Sequence, residues 1–290
     1  MPIPIVSEVP IPISAMVVVA MTVAWLLWSL SALGSVTAAD ATLGTTELVF
    51  TIVMAVSAFA QALTGFGFAI ISVGCLSSWL VTSPLFALVT PIAATLGAVV
   101  GAILLLPNVR TLDWDEIAPL LLPCTLLTPV GVWLATIVEP SQVNSALGVL
   151  ILAFVAFLFA DAELPPFLAS KQAVYLLGAV GGVLGGAYDV QGPPLVVCGK
   201  AKQWGPQQFR NNILCIVAIN SAEVVLIDSL IKPEIVQLSF DYSYLCLLSL
   251  PGVLVGLALG RWALERINPQ QFKQLLLMMC SGLAVRLLLS

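Results

Sequence analysis

Gln61-Ala62-Leu63-Thr64-Gly65-Phe66-Gly67-Phe68-Ala69 interrupts an otherwise apolar stretch that runs over 46–80. A helix crosses the hydrocarbon of a bilayer with about 20 residues, so this stretch is too long for one crossing. Gly65 and Gly67 sit near its middle, where glycine weakens a helix. The expected form is a helical hairpin with a non-helical tip. Unwound backbone facing lipid leaves N–H and C=O groups unpaired at several kcal/mol each, so such a tip persists only where protein or a cavity surrounds it.

A second stretch, 171–204, is interrupted in the same way by Asp189-Val190-Gln191-Gly192-Pro193-Pro194. Several landmarks recur at one spacing: Phe66 and Tyr188, Pro84 and Pro206, Cys124 and Cys246, and Pro129 and Pro251 are each 122 positions apart. That is an internal repeat. Between and after the hairpins, uninterrupted spans are expected at 84–106, 117–138, 141–161, 206–230, 241–264 and 269–289, several of them opening near a proline that needs no N–H there (Pro84, Pro140, Pro206, Pro269). The apolar run 13–33 reads as a retained first span. Thr37-Ala38-Ala39 could serve as a cleavage site, but no Lys or Arg precedes the run and it exceeds the apolar core of a signal.

The expected fold is thus an all-α polytopic membrane protein, an inverted-topology repeat with about seven full spans plus two broken or re-entrant hairpins. It divides into an N-terminal span and loop (1–45), a first repeat (46–165) and a second repeat (166–290), all in one membrane domain. With the loop at 107–116 placed in the cytoplasm, Arg110, Lys171, Lys200, Lys202, Arg210, Arg261, Arg266 and Lys273 all fall on that side, leaving Lys232 and Arg286 outside. The tracing gives the halves opposite orientations and a cytoplasmic amino terminus, as expected for a multi-pass protein of the cell (inner) membrane.

Composition excludes other classes. Of the 290 residues 60% are hydrophobic and 9% charged, with a mean hydropathy of +1.09. A globular domain carries roughly 25% charged residues. The net charge of −5 is scattered over short loops, and no basic patch fits a nucleic acid. There is no histidine, and the six cysteines lie singly in apolar runs, so no metal site, disulfide framework or cofactor is expected. No convincing nucleophile–base pair points to an enzyme.

Polar residues inside the spans narrow the site. At 100° per residue, Asn212 and Glu223 on the helix 206–230 project within about 20° of each other, with Asn220 some 60° further round. Thr90 is the repeat counterpart of Asn212. Such groups should face the bundle interior. Asp189, at a tip, is either a cap residue or a functional acid; Arg210 is either a topology anchor or a ligand for an anion. Gly181, Gly182, Gly185 and Gly186 either line a site or allow close helix packing. Free N–H groups and the positive helix end at a break suit an anion.

The run Thr64-Gly65-Phe66-Gly67-Phe68, the second break at Gly192-Pro193-Pro194 and the following Gln208-Phe209-Arg210 resemble the TauE/SafE family of sulfite and organosulfonate exporters, from about residue 46 onward. Many members have a Gly-rich run where this chain has Tyr188-Asp189-Val190-Gln191-Gly192. The resemblance implies an inverted-repeat carrier of sulfite, a sulfonate or a similar small oxyanion, working in the lipid bilayer by alternating access. Its substrate-binding residues are expected among Gln61, Thr64, Gly65, Phe66, Gly67, Thr90, Tyr188, Gln191, Gly192, Pro193, Arg210, Asn212 and Asn220, with Asp189 and Glu223 as candidates for proton coupling. The alternatives are proton- or sodium-coupled anion uptake and a non-transporting membrane scaffold or receptor. A homo-oligomer is compatible with the sequence, which fixes neither the oligomeric state nor the exact anion.

Overall fold

The computed structural model describes residues 43–80, 82–160, 164–231, 240–264, 266 and 280–288. The expected first span at 13–33 and most of the last, 269–289, lie outside the described residues. Among those described, regular structure is helical throughout: α1 (Leu43–Thr64), α2 (Phe68–Leu80), α3 (Phe86–Leu105), α4 (Trp114–Ile137), α5 (Pro140–Ala160), α6 (Lys171–Tyr188), α7 (Gly192–Ala201), α8 (Pro206–Ile231), α9 (Phe240–Leu264) and a last segment, α10, over 280–288. Short 3-10 turns follow α3 (Leu106–Thr111) and precede α6 (Pro166–Ala169).

Both expected breaks are present, and each is built from local chemistry. Gly65 (φ +84°) and Gly67 (φ +99°) occupy the left-handed region, where a side chain is strained. The Gly65 N–H closes α1 by donating to the Gln61 carbonyl at 2.8 Å. The Thr64 hydroxyl donates to the Ala60 carbonyl (2.8 Å) and accepts from the Phe66 N–H (3.1 Å), which fixes the turn. At the second break Asp189 takes the left-handed position (φ 57°), and its N–H donates to the Gly185 carbonyl at 2.7 Å. Both arms therefore end in one type of helix cap, with glycine in one and aspartate in the other.

Helix lengths bear on the spans only within the described residues. Among the described residues, five helical stretches are long and apolar enough to cross a membrane: Gly44–Thr64, Phe86–Thr111, Trp114–Ile137, Pro206–Ile231 and Tyr242–Leu264; Phe68–Leu80 and Asn144–Ala160 are shorter apolar helices. The first arm was expected to be half of a hairpin, yet its 22 residues make a helix about 33 Å long, enough to cross the hydrocarbon by itself. Pro84 stands two residues ahead of α3, in the turn, and does not occupy a first helical position.

Packing joins elements distant in sequence. α1 lies against α9, α6 against α4, and α3 against α8. The first two contacts are made through glycine. A methyl group on Gly182 would meet the Cys124 carbonyl at 2.1 Å, and one on Gly186 the Thr128 carbonyl at 2.1 Å. On the other side, Gly256 of α9 faces the Ala55 carbonyl at 2.0 Å. Gly178-x3-Gly182-x3-Gly186 and Gly252-x3-Gly256-x3-Gly260 are the small-residue rows that let membrane helices approach backbone to backbone. The packing reading is thereby the right one for Gly182 and Gly186. Gly185 serves the same end against α8, facing Asn220 Oδ1.

At one end of the bundle, polar contacts join the turn before α4 to the α7–α8 segment. Lys202 pairs with Glu116, the Trp204 indole N–H donates to Glu116 Oε2 (3.1 Å), Gln208 Nε2 donates to Asp113 Oδ2 (3.0 Å), and Asn211 Nδ2 donates to Thr111 Oγ1 (2.9 Å). Lys202 is the one expected cytoplasmic cation among these contacts.

Candidate functional site

Both tips line one cavity. Gln61, Phe66, Gly67, Phe68, Ala69 and Ile70 come from the first hairpin, and Asp189, Val190, Gln191 and Gly192 from the second; Gly97 of α3 and Val217 and Ser221 of α8 complete it. As the protein stands it is narrow, with room for about one water-sized group, so a larger ligand enters only if the tips part. The tips touch: a methyl group on Gly192 would lie 3.2 Å from the Phe66 ring. Phe66 in turn packs edge-on against Phe154, with centroids 5.9 Å apart.

The first tip supplies donors. Phe68, Ala69 and Ile70 form the first turn of α2, whose N–H groups have no carbonyl partner within the helix. They carry the positive end of the helix dipole. The second tip is different in kind, because α7 begins Gly192-Pro193-Pro194 and two of its leading residues have no N–H at all. Anion-binding capacity is therefore concentrated at the start of α2.

Three polar side chains face the same space. Gln61 is fully buried, and neither of its amide atoms has a hydrogen-bond partner. An unpaired buried amide costs about 1–3 kcal/mol, so its retention calls for a reason. Gln191 donates through Nε2 to the Val217 carbonyl (3.3 Å) and to Ser221 Oγ (3.4 Å). Because a carbonyl can only accept, this fixes the amide orientation and leaves Oε1 buried without a partner. The Ser221 hydroxyl donates to Asp189 Oδ1 at 2.7 Å, and Asp189 itself is 4% exposed.

The other expected site residues stand away from this cavity lining. Thr64 and Gly65 shape the turn behind Phe66; Pro193 is buried in the first turn of α7; Tyr188, half-buried, packs on the core. The Arg210 guanidinium donates to the Ala62 carbonyl (3.0 Å), and the Arg210 backbone lies against Gly65, so Arg210 braces the first tip from behind. It makes no ion pair with Asp189. Asn212 is fully buried with its amide unpartnered, and Thr90 is half-buried on α3. Asn220 donates to Thr128 Oγ1 at 2.6 Å, and half-buried Glu223 neighbours the same threonine, so this part of the polar stripe faces α4. Ser221, Val217 and Gly97 were missed by the sequence reading. A methyl group on Gly97 would stand 3.5 Å from Asp189 Oδ2, which shows how closely α3 approaches the acid.

The family model described as Sulfite exporter TauE/SafE matches residues 49–287, and the chain belongs to that family. No curated protein and no solved structure matches it. With its apolar helices, the chain is a multi-pass membrane protein of a transporter family for sulfur anions.

Proposed function

We propose that this member of the family is a secondary carrier that exports a small sulfur oxyanion, sulfite or a sulfonate, by alternating access around the cavity between its two tips. The observation that carries the reading is the orphaned amide of Gln61, fully buried in that cavity beside the free N–H groups of α2. An anion seated there satisfies both. A membrane potential, negative inside, favours anion exit by about 2.3 kcal/mol per charge per 100 mV, so export needs no coupling ion.

The packing supports two inverted halves, 46–165 and 166–290, in one membrane domain. If α1 corresponds to α6 and α4 to α9, then the contacts of α1 with α9 and of α6 with α4 are one contact made twice, across a pseudo-two-fold axis on which α3 meets α8. The correspondence at the breaks is Thr64 with Tyr188 and Phe68 with Gly192, two positions off the 122-residue spacing. Rocking of the halves about this axis would part Phe66 from Gly192 and open the cavity. Excess Lys and Arg at the end holding Lys202 and Arg110 makes that end cytoplasmic in an inner membrane. Uptake of labelled sulfite into proteoliposomes under an imposed potential tests the carrier: entry should follow the potential, and no entry above protein-free liposomes would refute it.

Asp189 favours a second reading, proton-coupled transport, since a negative charge beside an anion is unfavourable unless a proton or another cation accompanies the substrate. Glu223, directed to α4, is the lesser candidate. Asp189→Asn should keep anion binding and lose the pH dependence of the initial transport rate. A mutant pH profile that overlays the wild type removes Asp189 from coupling.

A further inference from the structure

We infer that the cavity selects an anion carrying its own hydrogen-bond donor, a protonated oxyanion or a hydroxyl-bearing sulfonate, over an anion that can only accept. The inference rests on the carrier reading and specifies its substrate class. It follows from the sorting of donors and acceptors around one small space.

The α2 end of the cavity offers donors: the first-turn N–H groups of Phe68, Ala69 and Ile70, with Gln61 free to turn its amide either way. The opposite end offers acceptors. Gln191 spends both donor contacts on Val217 and Ser221 and leaves Oε1 free, while Ser221 spends its hydroxyl proton on Asp189 Oδ1. This chain of donors runs in one direction, from Gln191 through Ser221 to Asp189, so the protein's own protons are committed before a ligand arrives. The groups facing Asp189 are Ser221 and Gln191, with Asp228 acting on it at longer range, and no described cation is paired with it. A wholly deprotonated anion would satisfy the α2 end and leave Gln191 Oε1 unpaired. A ligand with an O–H completes both ends.

Ethanesulfonate and 2-hydroxyethanesulfonate test this directly, because they share a sulfonate and differ by one hydroxyl. Binding to the purified full chain is measured by calorimetry, with sulfite as the reference anion. The hydroxylated probe should bind about ten-fold tighter or more, the usual scale for pairing a buried polar group. Asp189→Asn turns one acceptor into a donor, and Gln191→Leu removes the other, so either variant should shrink the preference to about three-fold or less; the second serves if the first does not fold. Equal affinities in the wild type overturn the inference, as does a preference that persists in both variants. Failure of sulfite and both probes to bind would overturn the carrier reading and the inference with it.

Discussion

Gly67→Leu should abolish transport while the protein still inserts and folds. A first carbon on Gly67 meets nothing nearer than Thr64 Oγ1 at 3.8 Å, so the space into which leucine would extend is the cavity itself. The left-handed φ of +99° adds strain of about 1–3 kcal/mol, which a membrane-inserted bundle of this size tolerates. The initial sulfite flux should fall at least about 100-fold, given that a misplacement of about 1 Å at a site costs that much. Monodispersity and helical content should stay as in the wild type. Gly67→Ala adds the same strain but little bulk, so its flux separates filling of the cavity from distortion of the backbone. Wild-type flux in Gly67→Leu would mean that this glycine serves the turn alone.

Gly182→Val should have the opposite profile, with failure of the fold as the primary effect. A carbon there would lie 2.1 Å from the Cys124 carbonyl, and that obstacle is backbone, which cannot rotate away. α6 must then part from α4 along their whole contact, at a cost of about 3 kcal/mol or more. Gly256→Val should behave alike, because it meets the Ala55 carbonyl at 2.0 Å on the other large interface. The expected observation is aggregated or degraded protein in both cases, seen by size-exclusion chromatography. A well-folded Gly182→Val with a wild-type melting temperature would show that the α4–α6 contact is looser than described.

The breaks were legible because their chemistry is local. Paired glycines in an apolar run, and Gly-Pro-Pro after a polar turn, have few other readings, and both helix ends fall where those residues stand. Gln61, Phe66, Gly67, Asp189, Gln191 and Gly192 followed from the breaks and reach the cavity together. The α8 contribution was not legible. A helical wheel assumes one polar face and one apolar face, whereas α8 is packed between neighbours: Asn220 serves Thr128 on α4, and Ser221, one residue on and about 100° round, serves Asp189. Polarity alone drew the reading to Asn212, Asn220 and Glu223 and away from Ser221. Close packing was one of two readings for Gly182 and Gly186, and the spacing that favours it is in the sequence, since Gly178, Gly182 and Gly186 recur at every fourth position, as do Gly252, Gly256 and Gly260.

Gln61→Leu tests the central claim, that the tips enclose an anion, through a change in thermal stability with and without sulfite. Leucine keeps the buried bulk and removes an amide that has no partner in the protein, so the variant should be more stable than the wild type by about 1–3 kcal/mol in the absence of sulfite. It should also lose the stabilisation that sulfite confers on the wild type. A Gln61→Leu protein that keeps the full sulfite-induced shift in melting temperature would contradict the account, because the unpartnered amide in the cavity lining would then have no part in binding the anion.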